Sequence, residues 1–162
     1  EGDDTLPMVI ARLLSSRGKT LAVAESCTGG LLSKLLTDIC GASKFFLEGV
    51  VSYSNKSKMK NLGVRIQTLK KFGAVSENVA IEMADGIRRI AGADYSISIT
   101  GIAGPTGGTK EKPVGLIYIG LSDPKRTQVQ RFLFRGDREF IRQRTALTAL
   151  ELLRKEVLRI KS

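Results

Sequence analysis

Residues 24–30, A-E-S-C-T-G-G, bring several side chains that can do chemistry to a point where the secondary structure is predicted to change. A short apolar run at residues 20–24 precedes this segment, and leucines at the spacing of one helix face follow it. The segment is therefore predicted to be a turn from a strand into a helix. Such a turn directs backbone N–H groups and the positive end of the helix dipole at a ligand, which suits a phosphate or an oxyanion. Ser26 lies there as a candidate nucleophile, although a serine at this position can also serve only as a helix cap.

The chain contains no histidine, and this limits the chemistry available to Ser26. It excludes a Ser-His-Asp triad, a Cys-His pair and an HExxH zinc site. The base must then be Lys, Tyr, Asp or Glu, and Lys58 and Tyr53 are the candidates. Lysine accepts a proton only when neutral, so the pKa of Lys58 must fall through desolvation, with a small contribution from Lys56 and Lys60. The alternative for Lys58 is a solvated charge on a basic helix.

The length and composition indicate a single domain whose positive charge favours anionic partners. The 162 residues suffice for a single domain spanning 1–162, and no apolar run approaches the length of a membrane span. The formal net charge of +10 favours a nucleic acid, an acidic membrane or a phosphorylated metabolite as partner. Two cysteines, Cys27 and Cys40, fit neither a disulfide framework nor a zinc site, which indicates the cytoplasm.

Alternating helix and strand patterns predict an α/β fold, a three-layer α/β/α sandwich around a mixed, mostly parallel sheet. The last two strands are too closely linked for a crossover helix and are predicted to be antiparallel. Predicted helices begin near Leu6 and Leu31 and after Ser54, Ser76 and Asp137, the last with an apolar face that extends to Ile160. Predicted strands cover residues 20–24, 45–53, 95–100, 116–121 and 129–134.

Four polar side chains lie at or just after predicted strand ends, namely Ser26, Tyr53, Lys58 and Thr100. In α/β sheets, ligands bind beyond the carboxyl ends of the strands. We therefore expect these side chains to form one site.

A glycine-rich segment, residues 101–115, is predicted to be a binding loop. It matches neither a P-loop nor a dinucleotide fingerprint. Its glycines permit close approach of the backbone to a phosphate, with Lys110, Lys112 or Arg138 as charge partners. A flexible connector is the alternative.

Five sequence blocks together resemble the CinA C-terminal domain family, the nicotinamide mononucleotide deamidases. They cover nearly the whole chain in order. The blocks are A-E-S-C-T-G-G at residues 24–30, Y-S-N at 53–55 followed by Lys58, G-A-V-S at 73–76, T-G-I-A-G-P at 100–105 with K-P-V-G at 112–115, and G-D-R at 136–138.

The resemblance implies an amidohydrolase that converts nicotinamide mononucleotide to nicotinate mononucleotide and ammonia, in pyridine nucleotide recycling, without metal or cofactor. It implies that Ser26 is the nucleophile and Lys58 its partner, with Tyr53 nearby and Thr100 supplying a hydroxyl. Arg138 is the candidate for the substrate phosphate, and Arg142 one turn later is the alternative. The remaining residues expected to contact substrate are Glu25, Cys27, Thr28, Gly29, Gly30, Gly101 and Gly104.

Two alternatives from another class are a nucleic-acid-binding module related to competence or DNA damage, and a domain that binds nucleotides without hydrolysing them. Aromatic residues make up only 6% of the chain, and no nucleic-acid-binding motif is evident, so we expect a small nucleotide substrate instead.

The N-terminal segment, residues 1–18, is predicted to contain the first helix. Residues 2–6 resemble a linker that follows an upstream domain. We expect a homo-oligomer, with a dimer as the first hypothesis, and no membrane partner.

Overall fold

The computed structural model of the chain describes residues 4–159. Residues 2 and 3 of the predicted linker and Ile160 of the predicted last helix lie outside the described residues. The described elements are α1 (Leu6–Ser16), β1 (Leu21–Glu25), α2 (Leu31–Thr37), a 3₁₀ turn (Ala42–Lys44), β2 (Phe46–Val51), α3 (Asn55–Leu62), α4 (Ile66–Phe72), α5 (Glu77–Ala91), β3 (Tyr95–Gly101), β4 (Leu116–Ser122), β5 (Thr127–Leu133) and α6 (Arg138–Leu158).

The five strands form one mixed sheet in the order β2-β1-β3-β4-β5. β1 pairs in parallel with β2 and with β3, whereas β4 is antiparallel to both of its neighbours. The predicted α/β class and the antiparallel pairing of the last two strands are thus confirmed. Four of the five strands run in one direction, and β4 alone runs against them.

Helices cover both faces of the sheet because the side chains of each central strand alternate between two apolar clusters. In β1, Leu21 and Val23 join the cluster beneath α1, α2 and α6. Ala22 and Ala24 join the cluster that includes residues of α3, α4 and α5. The buried strand therefore separates two cores, as a three-layer sandwich requires.

The helix starts predicted from capping side chains agree with the structure. Ser54, Ser76 and Asp137 each accept a hydrogen bond from the backbone N–H three residues later, as the capping rule predicts. Helix α4 was missed, because it is only seven residues long and the side chain of its N-cap, Arg65, makes no capping hydrogen bond. Helix α2 is also seven residues long and ends at Thr37.

Candidate active site

Three strand ends bring the predicted chemical residues to one edge of the sheet. Glu25, the last residue of β1, lies level with Val51 of β2 and Ile99 of β3. The segments that follow these positions carry Ser26, Tyr53 and Thr100. The parallel pairing of β1, β2 and β3 thus places them together, as the strand-end argument predicted.

Ser26 and Lys58 are in direct contact although 32 residues separate them. The distance from Lys58 Nζ to Ser26 Oγ is 2.9 Å. Lys58 is only 1% exposed and Ser26 8% exposed, so the contact is shielded from solvent. A solvated lysine on a basic helix, the alternative considered for Lys58, is therefore excluded.

Two backbone carbonyls complete the surroundings of the Lys58 amine. Nζ donates to the carbonyl oxygen of Ser52 at 2.8 Å and to that of Tyr53 at 3.0 Å. A neutral amine has two N–H bonds and one lone pair. When both N–H groups donate to these carbonyls, the lone pair is left for the Ser26 hydroxyl, which is the orientation that a general base needs.

Burial lowers the pKa of Lys58 to about 8, against a small opposing effect of the neighbouring Cys27. Desolvation disfavours the charged ammonium, because it loses its hydration while no carboxylate compensates for it. Lys56 and Lys60 do not contribute to the lowered pKa, so their predicted assistance was wrong. About one Lys58 amine in ten is then neutral at pH 7 and about half are neutral at pH 8.

This lowered pKa predicts a pH dependence of stability. The Lys58 pKa is about 8 in the folded protein, against a model value of 10.5, and it returns toward that value on unfolding. Between these pH values unfolding takes up a proton, so the folded state gains stability as the pH rises. We expect wild type to gain up to about 3 kcal/mol of unfolding free energy relative to Lys58→Met across this interval. Denaturant unfolding of both proteins at pH 7.5, 9 and 10.5 measures the difference, and parallel pH curves would contradict the prediction.

Helix α3 holds Lys58 at a fixed depth. Ser54 caps its first turn by accepting from the Ser57 N–H at 3.1 Å. On its other side, Gly86 of α5 approaches the carbonyl of Leu62 so closely that any Cβ would clash with it. The close helix contact brings the Lys58 side chain into the core beneath the strand ends.

Cys27 is adjacent to Ser26 but does not compete with it as a nucleophile. Burial raises the pKa of the Cys27 thiol to about 12, and the cationic Lys58 and Arg142 only partly oppose this. The thiolate, which is the reactive form of cysteine, is therefore scarce at neutral pH.

The backbone of residues 26–30, here called the Ser26 turn, offers fewer free N–H groups than the sequence suggested. The Gly29 N–H donates to the Ser26 carbonyl at 3.0 Å, which removes it as an oxyanion donor. Within residues 4–159, the N–H groups of Cys27, Thr28 and Gly30 donate to no backbone carbonyl, and those of Cys27 and Thr28 are the nearest to Ser26 in the sequence. These two groups lie beside Ser26 and are the candidates for an oxyanion hole.

Glu25 occupies the N-terminus of α2, which the sequence analysis had assigned to a ligand. Its carboxylate accepts from the Leu32 N–H at 2.8 Å and from the Ser33 N–H and hydroxyl at 3.0 and 2.8 Å. The side chain is fully buried. The prediction that Glu25 contacts substrate was therefore wrong, because its carboxylate satisfies the helix end and fixes the start of the Ser26 turn.

Thr100 and Tyr53 lie at the site in roles that differ from those predicted. The Thr100 hydroxyl donates to the Ala74 carbonyl at 2.8 Å, which anchors the segment after α4 to β3. The Tyr53 phenol is at the exposed rim, where its oxygen accepts from Arg138 Nη2 at 3.3 Å. The Tyr53 backbone carbonyl, and not its ring, contacts the Lys58 amine.

A pocket of about 300 Å³ opens above Ser26 and Lys58. Arg138 stands at its rim, where Nη1 donates to the Gly104 carbonyl at 2.8 Å. Eight of the predicted site residues line the pocket, and five do not: Glu25, Thr28, Gly29, Gly30 and Arg142. The lining residues are Ser26, Cys27, Tyr53, Lys58, Ala74, Val75, Thr100, Gly101, Ile102, Ala103, Gly104, Thr106, Gly107 and Arg138.

Sequence reasoning assigned no role to the pocket wall formed by Ala74 and Val75. They lie in the G-A-V-S block between α4 and α5, and that block was the only signal for them. The first half of the glycine-rich loop also lines the pocket. Its Lys112 does not line the pocket and instead donates to the Phe72 carbonyl at the end of α4, while Lys110 does not line it either.

A larger cavity, of about 830 Å³, lies between β5 and the C-terminal half of α6. Its lining includes Tyr95, at the start of β3. The cavity therefore lies at the edge of the sheet opposite to the edge that carries Ser26. Arg126, one of its cations, already pairs with Glu156 at 3.3 Å. Because no Ser, Cys or Thr nucleophile lines this cavity, we place the candidate active site in the smaller pocket.

Two further findings concern the described residues as a whole. None of the helices within residues 4–159 combines the length and the apolar character needed to cross a bilayer. In the same part of the chain, no three Cys, Asp or Glu side chains cluster closely enough to form a metal site.

Comparison with known sequences gives a consistent result. The CinA C-terminal domain family matches residues 3–157. A CinA-like protein from Kosmotoga olearia is 52% identical over 157 residues, and one from Thermotoga sp. strain RQ2 is 54% identical over 153 residues. These matches cover 97% and 94% of this chain but only 38% and 37% of the relatives, so the chain spans less than two fifths of their length.

Solved structures match over nearly their whole length. The competence damage-inducible protein A from Klebsiella pneumoniae superposes with a TM-score of 0.92 at 36% identity, over 96% of this chain and 97% of that one. A competence/damage inducible protein from Agrobacterium tumefaciens gives a TM-score of 0.87 at 37% identity, over 94% of this chain and 96% of that one. The fold described above is thus that of these proteins.

Proposed function

We propose that this chain, which belongs to the CinA C-terminal domain family, is a serine amidohydrolase that converts nicotinamide mononucleotide to nicotinate mononucleotide and ammonia. The observation that carries the proposal is the buried contact between Ser26 Oγ and Lys58 Nζ at 2.9 Å. A buried lysine without a carboxylate partner weakens the fold, so its presence beside a hydroxyl needs a chemical reason. Activating a serine in a chain without histidine is such a reason.

The distribution of charge in the pocket fits this substrate. The nucleophile and its base lie at the buried end, while the Arg138 guanidinium stands at the exposed rim. A molecule with a neutral carboxamide at one end and a phosphate at the other matches this polarity. The formal net charge of +10 favours the approach of an anionic substrate.

In the first half of the reaction, neutral Lys58 accepts the Ser26 proton as Oγ attacks the carboxamide carbon. The N–H groups of Cys27 and Thr28 hold the oxygen that becomes negative. The tetrahedral intermediate collapses, the C–N bond breaks, and the nitrogen takes the proton from Lys58 and leaves as ammonia. An acyl-Ser26 ester remains.

In the second half, Lys58 is neutral again and takes a proton from water, whose oxygen attacks the ester carbon. Collapse of this second intermediate breaks the bond to Ser26 Oγ, and Lys58 returns the proton to the hydroxyl. One amide and one water thus give one carboxylate and one ammonium. The Tyr53 phenol is assigned no proton transfer, because its position at the rim beside Arg138 suits contact with substrate.

The direct test is to incubate the purified chain with nicotinamide mononucleotide and to follow ammonia and the nicotinate product. We expect both to appear in equal amounts. Absence of both with this substrate would overturn the proposal. A DNA titration at physiological salt would then examine the binding module considered in the sequence analysis, whose affinity should fall as salt rises.

A further inference from the structure

Helix α6 carries two arginines, one turn apart, that make different contacts near the candidate active site. Arg138 lines the pocket, whereas Arg142 lies outside it and donates from Nη2 to the Thr28 carbonyl at 2.7 Å. This bond joins residues 114 positions apart in the chain. The Ser26 turn is thereby held from behind by the same helix that forms the pocket rim.

Arg142 makes this contact without the usual partner of a guanidinium. No ion pair within residues 4–159 includes Arg142. Its Nε is buried and makes no hydrogen bond in the described structure, and the same is true of the Thr28 hydroxyl. Buried polar groups without a protein partner are rare and need an explanation, and a role beside an active site is one.

The charge of Arg142 also reaches the reacting end of the turn. A Cβ added to Gly29 would lie 3.4 Å from Arg142 Nη2, so the guanidinium packs against the backbone of the turn. Arg142 is one of the two cations that lower the pKa of the Cys27 thiol, although burial outweighs them and raises it. A cation in this place favours negative charge on the substrate oxygen as it develops beside Cys27.

We infer that Arg142 is a positioning residue for the nucleophile, which holds the Ser26 turn through Thr28 and supplies positive charge behind the oxyanion hole, and that it is not a ligand of the substrate phosphate. The inference rests on the proposed function for its kinetic consequences. The two arginines then have different roles: Arg138 contacts the substrate, and Arg142 positions the Ser26 turn.

The test compares Arg142→Gln with the matched variant Arg138→Gln on nicotinamide mononucleotide and on the phosphate-free nucleoside. For Arg142→Gln we expect kcat to fall by about 10- to 100-fold on both substrates, with KM changed by less than about threefold. For Arg138→Gln we expect KM to rise on the phosphorylated substrate, so that the preference for it is reduced. Arg142→Lys, which keeps the charge and one donor, should recover part of the loss.

A second measurement separates this inference from the proposed function. A small sulfonyl fluoride reacts with an activated serine whatever the natural substrate is. We expect Arg142→Gln to slow the labelling of Ser26 by about 10-fold or more, and Arg142→Lys to slow it less. Wild type that is labelled rapidly but hydrolyses neither compound would contradict the proposed substrate and leave this comparison intact.

Two results would overturn the inference. One is a loss confined to KM on the phosphorylated substrate, which would make Arg142 a phosphate ligand. The other is unchanged labelling and kcat in Arg142→Gln, which would make the contact with Thr28 irrelevant to the nucleophile. Thermal melts of all variants identify any that lose activity by unfolding, and Arg142→Lys then provides the comparison if Arg142→Gln does not fold.

Discussion

Ser26→Ala is expected to lower ammonia release from nicotinamide mononucleotide by about 10⁴-fold or more, because the acyl intermediate forms on the Ser26 hydroxyl, the one hydroxyl that contacts Lys58. The neighbouring thiol cannot substitute, since the pKa of Cys27 is raised to about 12. Substrate affinity should change by less than about threefold, because the hydroxyl acts mainly in the transition state. Calorimetric titration of the variant with substrate and an ammonia assay measure the two quantities.

Ser16→Ala is the matched control for this prediction. Ser16 lies at the exposed end of α1, and its hydroxyl donates only to the Leu13 carbonyl. This variant should keep the wild-type rate. Ammonia release by Ser26→Ala at more than about a tenth of the wild-type rate would exclude Ser26 as the nucleophile.

Lys58→Met is expected to lower kcat/KM by about 10³-fold, which is the usual loss when a general base is removed. Methionine retains much of the buried volume but has no basic nitrogen. Lys58→Arg should not restore the rate, because a guanidinium stays protonated and cannot accept the Ser26 proton. Initial rates at low substrate concentration give the comparison.

The same base predicts how the rate depends on pH. Because only neutral Lys58 can act, and burial lowers its pKa to about 8, kcat/KM of wild type should rise with pH up to that value and then level off. Measurements between pH 7 and 9 avoid the second ionisation of the substrate phosphate near pH 6. The residual rate of Lys58→Met should lack this rise, and a similar rise in that variant would assign the titration to another group.

Lys60→Met is the matched control for both Lys58 experiments. Lys60 belongs to the same helix, α3, but its side chain is exposed. Its removal lowers the net charge by the same amount without reaching the pocket. We expect it to keep both the rate and the pH profile of wild type.

The two arginines of α6 show why sequence spacing alone did not assign the phosphate ligand. Arg138 and Arg142 are one helical turn apart and were both candidates. Arg138 lines the pocket and donates to the Gly104 carbonyl, whereas Arg142 lies outside the pocket and donates to the Thr28 carbonyl. What each arginine contacts depends on how α6 packs against α1, α2 and β4, and local spacing contains no information about that packing.

The sequence by itself determined the features that depend on near neighbours. Alternating apolar patterns indicated the strands, capping residues marked the helix starts, and the absence of histidine limited the base to another residue type. Because parallel strands end at one edge of a sheet, the strand ends also indicated that Ser26 and Lys58 belong to one site. These inferences hold because periodicity, capping and strand direction are local or topological properties.

Only the tertiary structure decided which polar groups of that site are hydrogen-bonded within the protein and which remain free for a substrate. Glu25 and the Gly29 N–H were candidates for substrate, but both are already bonded within the protein. The pKa of Lys58 is lowered by burial under elements far away in the chain. Hydrogen bonds and desolvation depend on every group within a few ångströms, and the pairs that matter here, such as Ser26 with Lys58, are separated by tens of residues. For that reason the sequence could name Lys58 as a candidate partner of Ser26 but could not give the hydrogen bonds and burial that the two share.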